Sequence, residues 1–407
     1  MDTFITPTFV TKDTAIHWKN RLKLAASFDR SYNDAFKSTP GGGKVGYTVN
    51  VRTPQRFTVA EGQAIQLQNI LNQTVPITIN HQQHVAMGWS SADDTLLVEE
   101  VQSRYTKPAG EALASKVDVT AGAEVYRSVY NSIGTPGERL TDSQVFMDAI
   151  AKLGTLGVPE PYIAVVDGKT QASIVGANLA LFNLPGGAEM FKTGQFSSGA
   201  FGIDEWILDP NMPTHVTGTF TSSSWAVNGA GQTGSSLAVD GAGTYALKAG
   251  DVFTIDGVYA VNPISYADSG ELQQFVVTAD LSGSSSGTLS ISPSIIPSGQ
   301  LQTVTNSPAN DAAITFLGST GTTSATMAAQ RSKQSLIFNP EAFALVTADL
   351  KENLAGARTK RISSKTAGVS MRWVEQYAIT TDQNPSRMDI LYGVAAVAPH
   401  FAIRAWS

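Results

Sequence analysis

Residues 247–261 read LKAGDVFTIDGVYAV, a stretch that ends one short β-strand, turns at Gly250 and begins a second strand. The same composition extends over residues 220–330, which are rich in Gly, Ser and Thr and contain one basic side chain, Lys248. Turn residues divide this range into predicted strands at Tyr245–Leu247, Val252–Val261, Gln274–Asp280 and Thr288–Ser292. A structureless surface loop of this length is uncommon in a compact domain. We therefore expect an inserted all-β domain, a small barrel or sandwich.

The charge distribution separates this insert from the rest of the chain. The 407 residues include 28 basic and 34 acidic side chains, and the one base and seven acids of the insert account for the whole net charge of −6. The flanking body is balanced, which argues against a dedicated nucleic-acid-binding protein. The chain contains no cysteine, which excludes disulfides, thiolate metal sites and a cysteine nucleophile. Residues 1–12 lack the apolar stretch of a signal peptide, and no segment approaches the ~20 apolar residues of a membrane span, so we expect a soluble protein.

The N-terminal part combines a predicted helix, a glycine hinge and a hairpin. Apolar residues at three- and four-residue steps predict an amphipathic helix within residues 12–37, an arm that ends at the hinge Pro40, Gly41, Gly42 and Gly43. Two alternating segments then flank a polar tip, Thr53–Asn72, with apolar positions at Val45, Tyr47, Val49, Val51, Val75, Ile77 and Ile79. An isolated hairpin is only marginally stable, and no adjacent segment is an obvious partner. We expect a neighbouring copy of the chain to cover its apolar face.

The remaining body alternates predicted helices and strands. Pro108 opens a run of apolar residues every four positions, which predicts one long helix over Pro108–Ile133. Thr141 and Gln144 form a capping box ahead of a second helix. The further elements predicted by pattern are helices at Val145–Leu153, Thr170–Phe182 and from Asn339-Pro340 through Leu354, and strands at Tyr162–Val166, Met371–Ile379 and Met388–Val397, the last two joined by a turn at Asp382–Ser386.

Residue types that carry catalysis are present but form no recognisable motif. His81 and His84 lie three residues apart, which on a strand places them on opposite faces. Gly41–Gly43 with Lys44 lack the spacing and the Ser or Thr of a phosphate-binding loop, and no nucleophile elbow occurs. The basic cluster Arg358, Lys360, Arg361 and Lys365 could contact phosphate or an acidic partner, although a solvated loop is the simpler interpretation. We expect no enzyme, no cofactor and no metal.

Collinear stretches carry a resemblance to a known family: Phe191–Gln195, Gly199–Pro210, Leu247–Val258, Ser335–Phe338, Met371–Thr380 and Ile390–Ala398. They resemble the major capsid (coat) proteins of tailed double-stranded-DNA phages, the Hong Kong-ninety-seven capsid fold, and above all those of short-tailed Salmonella phages of the P-twenty-two type, which carry an inserted domain. The resemblance implies an α+β capsid fold with an N-terminal arm (1–40), an E-loop hairpin (41–86), a peripheral domain with a spine helix (87–160), an axial domain (161–219), the inserted barrel-like β-domain (220–330), and the axial domain with the C-terminal strands (331–407).

The same resemblance implies a function and a set of partners. The chain would self-assemble, with a scaffolding protein, into the icosahedral shell that encloses the phage double-stranded DNA genome. Its partners would be further copies in pentamers and hexamers, the portal protein, and packaged DNA through non-specific contact, without a membrane. The chain would be found in the virion capsid, assembled in the host bacterial cytoplasm. Two other readings stay open: a secreted or surface β-rich adhesin or decoration protein, and a cellular nanocompartment shell of the same fold.

The resemblance also assigns roles to particular residues. The hairpin positions Val45 to Val51 and Val75 to Ile79 would contact a neighbouring subunit, and Pro40–Gly43 would act as the hinge. Relatives carry a charged loop where this chain has residues 228–236, with Asn228, Gly229, Gly231 and Gly234 as candidates for an inter-subunit contact. That loop is uncharged here, so no salt bridge is expected from it. Lys44 lies at the foot of the hairpin, so we expect no Lys–Asn cross-link.

Overall fold

The computed structural model describes residues 16, 18, 21–36, 46–59, 62, 67–90, 107–177, 196, 199–221, 224–320, 325–352, 354, 356–364 and 369–407. These residues form an α+β protein, as predicted. The chain divides into two compact units: Met1–Arg52, Thr74–Gly122 and Phe343–Val397 form the first, and Thr53–Gln73, Ala123–Ala342 and Ala398–Ser407 form the second.

Three α-helices and twenty strands occur among the described residues. The helices are α1 (Lys107–Val125), α2 (Gln144–Thr155) and α3 (Gly168–Ala177). The strands are β1 (Thr48–Arg52), β2 (Thr74–Thr78), β3 (His81–Ser90), β4 (Ser132–Ile133), β5 (Ile163–Val166), β6 (Glu205–Leu208), β7 (Thr214–Val216), β8 (Thr219–Phe220), β9 (Ala226–Val227), β10 (Gly234–Leu247), β11 (Val252–Val261), β12 (Asp268–Val277), β13 (Leu281–Ile295), β14 (Ile314–Phe316), β15 (Arg331–Phe338), β16 (Phe343–Thr347), β17 (Arg358–Ser364), β18 (Val369–Glu375), β19 (Gln383–Ala396) and β20 (Ala402–Trp406).

The first unit is built on an antiparallel sheet in the order β16-β19-β18-β17, with β3 paired to β19. The helix predicted from Asn339-Pro340 to Leu354 is wrong. A 3₁₀ turn, Pro340–Ala342, leads directly into β16, in which all five side chains are buried. A short apolar run is compatible with either a buried helix or a strand covered on both faces. Residues 343–347 form a strand because their backbone pairs with β19.

Trp18 and residues 21–36 contribute to the core of the first unit rather than to a free arm, which corrects the expectation from the sequence for these residues. Trp18 and Leu24 are fully buried. The backbone beyond Arg21 forms 3₁₀ turns at Ala25–Ser27 and Ser31–Phe36 instead of one continuous helix. The Asp118 carboxylate on α1 accepts the backbone N–H groups of Lys23 and Ala25, each at 2.9 Å. The predicted hinge Pro40–Gly43 and Val45 lie outside the described residues.

The second unit contains a mixed sheet in the order β4-β20-β15-β5-β6, with β7 paired to β15. The predicted strand at Tyr162–Val166 is confirmed as β5, and the last strand ends at Trp406 as expected. The long helix is shorter than predicted, because α1 ends at Val125 and a 3₁₀ turn follows. Ser132 and Ile133 instead form β4, which runs parallel to β20.

Residues 220–330 form the predicted β-structure, and it closes on itself. The strand order is β14-β11-β12-β13-β10, and β9 pairs with β10. Backbone hydrogen bonds from Val227 N–H to Ala312 C=O and from Ile314 N–H to Trp225 C=O join β9 back to β14, which closes a barrel. Its interior holds an aromatic cluster of Phe220, Trp225, Tyr245, Phe253, Phe275 and Phe316. The barrel lies within the second compact unit, so its standing as a separate inserted domain stays a prediction.

Three further predictions need correction in detail. The capping box at Thr141 is wrong, because the Asp142 carboxylate, rather than Thr141, accepts the Gln144 N–H at 2.8 Å. The turn between the last long strands comes earlier than Asp382–Ser386, since β18 ends at Glu375 and β19 begins at Gln383. The basic residues Arg358, Lys360 and Arg361 lie on the edge strand β17 rather than on a solvated loop. Charged residues on an edge strand discourage unwanted strand pairing. Lys365 lies outside the described residues, as does the end of the helix predicted at Thr170–Phe182 beyond Ala177.

Candidate assembly surfaces

The base of the hairpin is formed as predicted, by antiparallel pairing of β1 with β2. Val49 lies opposite Ile77, and Val51 lies opposite Val75. The expectation that this apolar face lacks a partner within the chain is wrong. Val51, Ile77 and Ile79 are buried against residues of β16 and β19 in a cluster with Ala344, Val346, Leu391 and Ala395.

A glycine makes this approach of the hairpin base possible. A Cβ atom on Gly393 in β19 would lie 2.1 Å from the carbonyl oxygen of Thr78 in β2. The sequence offered no local signal for the contact, because residues more than 300 positions apart form it. The base is therefore anchored within its own subunit, and Ile77 and Ile79 are already covered there.

The tip of the hairpin, residues 53–73, carries several large apolar side chains that are exposed to solvent. The sequence predicted a polar tip, but Phe57, Val59, Leu67, Ile70 and Leu71 are all exposed, with Val59 at 96% and Leu67 at 94%. The two sides of the tip are tied together, since the Gln68 carboxamide bonds the backbone N–H of Thr58 at 3.0 Å and also its carbonyl. Tyr47, next to the base, is 76% exposed. Large exposed apolar groups that cluster in this way mark interaction surfaces.

The uncharged loop predicted as an inter-subunit contact is a compact turn between β9 and β10. Gly229, Gly231 and Gly234 have positive φ angles, which side-chain-bearing residues rarely adopt. The Gln232 carboxamide fills the turn, where it donates to the carbonyls of Asn228, Gly229 and Ala238 and accepts the Ala238 N–H at 2.7 Å. The loop is therefore held by its own hydrogen bonds, and its role between subunits stays a proposal.

A buried polar cluster, here called the clasp, joins the root of the barrel to the rest of the second unit. It consists of Tyr126 after α1, His215 on β7, Asp251 before β11 and Arg404 on β20. The Tyr126 hydroxyl lies 3.2 Å from His215 Nδ1, and His215 Nε2 lies 2.9 Å from Asp251 Oδ1. The Arg404 guanidinium donates to the Gly250 carbonyl and lies over the Trp406 ring. Asp251, His215 and Arg404 are all buried.

Backbone hydrogen bonds and the Arg404 guanidinium complete the surroundings of Asp251 in the clasp. The Asp251 carboxylate accepts the backbone N–H groups of Lys248 at 2.8 Å and Gly218 at 3.1 Å in addition to the imidazole. Burial lowers the pKa of Arg404 to about 10, and the nearby Asp251 carboxylate opposes that shift. The His215 imidazole and the Gly218 N–H, both remote in sequence, thus hold one buried carboxylate together with the nearby Lys248 N–H. Unlike the hairpin, the clasp had no sequence motif that could have revealed it.

A second set of polar contacts fixes the barrel against α2. Gln274 on β12 accepts the Ser132 N–H at 2.7 Å and donates to the Ser132 carbonyl at 2.9 Å. Lys152 on α2 donates to the same Gln274 oxygen at 2.9 Å and lies 3.6 Å from Glu271. Burial lowers the pKa of Lys152, and Glu271 opposes that shift. The barrel therefore rests on α2 and β4 through side chains as well as through its connecting strands.

None of these clusters has the geometry of a reaction centre. Tyr126, His215 and Asp251 form a chain like a catalytic relay, but all three are buried and surrounded by packed aromatic rings. His81 and His84 both lie on β3, as the sequence indicated. Among the described residues, no group of three or more His, Asp or Glu side chains could hold a metal ion. No described helix is long and apolar enough to cross a bilayer.

Several solved structures are similar to this chain. The chain is similar to a solved structure from Mycobacterium phage Che8 (13% identity, 94% of this chain and 90% of that chain, TM-score 0.46). It is also similar to the capsid of Ralstonia phage GP4 (9% identity, 95% of this chain and 92% of that chain, TM-score 0.44) and to the CUS-3 coat protein I-domain (26% identity, 24% of this chain and 96% of that chain, TM-score 0.19). No curated protein matches the chain.

The family itself is shown by a sequence model rather than by these structures. The model of the P22 coat protein (gene protein 5) family matches residues 51–403, which is most of the chain and includes the hairpin tip, the barrel and the last long strand. This match does not favour the alternative of a secreted or surface adhesin. The chain therefore belongs to the P22 coat protein family and is a major capsid protein that forms the shell of a bacteriophage virion.

Proposed function

We propose that the hairpin tip holds neighbouring copies of the coat protein together in the shell. The observation that carries this proposal is the set of five large exposed apolar side chains between Phe57 and Leu71. Full burial of one such side chain contributes about 1.5–3 kcal/mol, so even partial burial of several stabilises a contact that every subunit repeats. In the first unit, Tyr47 and the outer parts of Val49 and Val75 would make a contact of their own with a neighbouring copy. Val51, Ile77 and Ile79 would support it from within their own subunit.

Substitution of the tip tests this proposal without disturbing the subunit core. We expect the variant Val59→Ser/Leu67→Ser to fold with an unchanged urea midpoint, because both side chains are exposed, and to form few shells by sedimentation and electron microscopy. Met147→Ser is the matched control, since Met147 is an exposed apolar residue on α2 outside the hairpin. Normal shells from the tip variant, at the parent's protein concentration, would show that the tip is not the contact. Deletion of residues 53–72 should give the same loss more completely.

Assembly would require a scaffolding protein supplied as a separate chain and would proceed in the cytoplasm of the bacterial host. The support is the family to which the chain belongs together with the small exposed surface that the tip offers to another copy. The purified protein alone should remain largely in subunits at low concentration, and addition of the phage's scaffolding protein should produce closed shells of pentamers and hexamers. A portal protein would occupy one vertex. Uniform shells from the coat protein alone would refute the scaffolding requirement.

Contact with packaged DNA would be weak and independent of base sequence. The balanced charge of the body, 27 basic and 27 acidic residues once the insert's one base and seven acids are removed from 28 and 34, supports this proposal. Phosphate contacts dominate non-specific affinity and fall steeply with salt. A steep salt dependence of DNA binding by the isolated subunit would contradict it. The proposed role is structural throughout, with no catalysis, no cofactor and no cross-link through Lys44.

A further inference from the structure

The hairpin tip also contacts the barrel of its own subunit. Residues Thr53–Gln73 belong to the second compact unit, which contains the whole barrel. The Gln300 carboxamide, on the turn that follows β13, donates to the side-chain oxygen of Gln68 at 3.0 Å, across 232 positions of sequence. This hydrogen bond, here called the Gln68–Gln300 link, is partly buried and joins the tip to the barrel.

The other hydrogen bonds of Gln68 fix the direction of this link. Gln68 Oε1 accepts the Thr58 N–H at 3.0 Å, and Gln68 Nε2 donates to the Thr58 carbonyl. A flipped carboxamide would place its NH₂ group against that N–H and its oxygen against that carbonyl. Oε1 therefore faces Gln300, whose NH₂ group is the matching donor. One side chain thus ties the two sides of the tip to each other and to the barrel.

The turn that carries Gln300 is held in place by the barrel. The Tyr266 hydroxyl donates to the Gln300 carbonyl at 2.9 Å. On the far side of the turn, the Thr303 hydroxyl donates to the Ser294 carbonyl at 2.7 Å and accepts the Ile296 N–H at 3.1 Å. The barrel therefore presents the Gln300 donor to the tip from a turn that is fixed on both sides.

The tip lacks regular secondary structure that could hold its shape. Between β1 and β2, no described residue belongs to a helix or a strand. At the root of the tip the Thr53 N–H donates to the Gln73 carbonyl at 3.0 Å. Farther out, Arg56 lies near His400 of the same unit, since burial and, after it, the charge of Arg56 lower the pKa of that imidazole. An irregular segment loses conformational entropy when a contact orders it, which weakens the contact.

The Gln68–Gln300 link leaves the apolar side chains of the tip uncovered. Val59 is 96% exposed, and Leu67 is 94% exposed although it is adjacent to Gln68. The barrel therefore does not hide the surface that would meet a neighbouring copy. It holds that surface in one place while leaving it accessible, which is the arrangement of a support rather than of an inhibitory contact.

We propose that the Gln68–Gln300 link holds the tip in the conformation that contacts a neighbouring copy, so that Gln68 and Gln300 are positioning residues for shell assembly. This inference rests on the proposed role of the tip and assigns the barrel a part in it. Because the tip is already ordered in the free subunit, less conformational entropy is lost when the shell forms.

A titration of assembly tests the link at its barrel end. Gln300→Ala removes the donor but leaves the bonds of Gln68 to Thr58 and the backbone bond to Tyr266. We expect an unchanged urea midpoint and an increase of about three- to tenfold in the concentration needed for shell formation, as for the loss of one hydrogen bond. The isosteric variant Gln300→Glu, which opposes two oxygens, should assemble at least as poorly. Gln302→Ala is the matched control, because the Gln302 carboxamide donates to the Val304 carbonyl within the barrel.

A spin label on the tip gives a readout that a purely structural role of Gln300 in the barrel would not change. The chain contains no cysteine, so Asn69→Cys accepts a single nitroxide at an exposed position beside Gln68. In unassembled, folded subunits the label should be more mobile with Gln300→Ala than in the parent or with Gln302→Ala. Unchanged mobility would overturn the inference, as would normal assembly despite greater mobility.

The tip variant Val59→Ser/Leu67→Ser separates this inference from the proposed function. If that variant forms few shells while both Gln300 variants assemble normally, the tip is the contact but the link does not position it, and only this inference is wrong. If the tip variant assembles normally, the proposed function fails and the inference fails with it. If a Gln300 variant is less stable than Gln302→Ala in urea, the mobility of the label in its folded subunits decides.

Discussion

Replacement of Asp251 by Asn should destabilise the second unit, because it changes the one acceptor that organises the clasp. Asn has nearly the same shape as Asp but exchanges one carboxylate oxygen for an NH₂ group. Oδ1 faces His215 Nε2 at 2.9 Å, and Oδ2 faces the Lys248 N–H at 2.8 Å. An NH₂ group in place of Oδ2 would direct a donor at the Lys248 N–H. In place of Oδ1 it would meet the Gly218 N–H, 3.2 Å away, and would require His215 Nε2 to become an acceptor. A backbone N–H cannot change its role, so the amide must turn its NH₂ group toward the imidazole.

The size of the effect follows from the burial of these groups. A hydrogen bond to a charged group contributes about 1.5–3 kcal/mol. Arg404 keeps its buried guanidinium when Asp251 loses its charge, although the Gly250 carbonyl and the Trp406 ring still contact it. We therefore expect Asp251→Asn to lower the free energy of unfolding by about 3 kcal/mol, measured as the shift of the urea midpoint.

Tryptophan fluorescence is a suitable readout, since the Trp406 ring lies 5.3 Å from the His215 ring. Asp280→Asn is the matched control. Asp280 also pairs with a cation, Lys248 at 2.8 Å, but both side chains are more than half exposed, so solvent screening limits its effect to less than about 1 kcal/mol. If the free energy of unfolding of Asp251→Asn lies within about 1 kcal/mol of the parent's, Asp251 contributes no more to stability than a surface ion pair does. That result would refute the predicted role of the clasp.

Three further outcomes follow from the same kind of reasoning. Gly393→Ala should lower the free energy of unfolding of the first unit by about 2 kcal/mol, because its Cβ atom would lie 2.1 Å from the Thr78 carbonyl oxygen. Gly46→Ala should have no such effect, because no atom lies within 4 Å of the added Cβ atom. Equal urea midpoints for the two variants would contradict the packing of the hairpin base. Asp118→Asn should cost about 2 kcal/mol and expose the segment from Arg21 to Phe36 to limited proteolysis, since its carboxylate accepts two backbone N–H groups, of which that of Ala25 is buried; unchanged cleavage would argue against this anchor. Burial lowers the pKa of His400 from 6.5 to about 4, so the folded state favours the neutral imidazole. The contribution of His400 to the free energy of unfolding is therefore fully present above pH 6.5 and is lost as the pH falls toward 4, because the unfolded chain binds the proton first. His400→Gln should flatten this part of the pH profile of stability, and a profile identical to the parent's would rule out this role.

Local pattern was sufficient where one strand or turn could be recognised from its own residues. The alternation around Val49 and Ile77 predicted the paired strands of the hairpin, and the Gly- and Ser-rich turns of 220–330 predicted β-strands that the structure contains. The absence of any catalytic motif and the collinear stretches favoured a structural role before the fold was known. The family match over residues 51–403 bears out the coat-protein reading.

The local sequence pattern gave the wrong secondary structure where an apolar segment was compatible with both a helix and a strand. The segment from Phe343 to Thr347 is compatible with a helix by its composition, but pairing with β19 on a sheet buried on both faces makes it a strand. The predicted helix from Pro108 likewise stops at Val125, because Ser132 and Ile133 pair with β20 instead. In both cases a distant partner strand supplied hydrogen bonds that the sequence window did not contain.

The amino-acid sequence by itself therefore determined the α+β class, the hairpin, the β-strands of the insert and the family, since each depends on periodicity, turn residues or collinear similarity. Only the tertiary structure decided which apolar residues are covered within the subunit and which face outward. Burial depends on what lies opposite a side chain, and for Ile77 or Asp251 that neighbour is separated by tens to hundreds of residues. The closed barrel, the clasp and the exposed apolar tip arise from such long-range contacts, which no local pattern encodes.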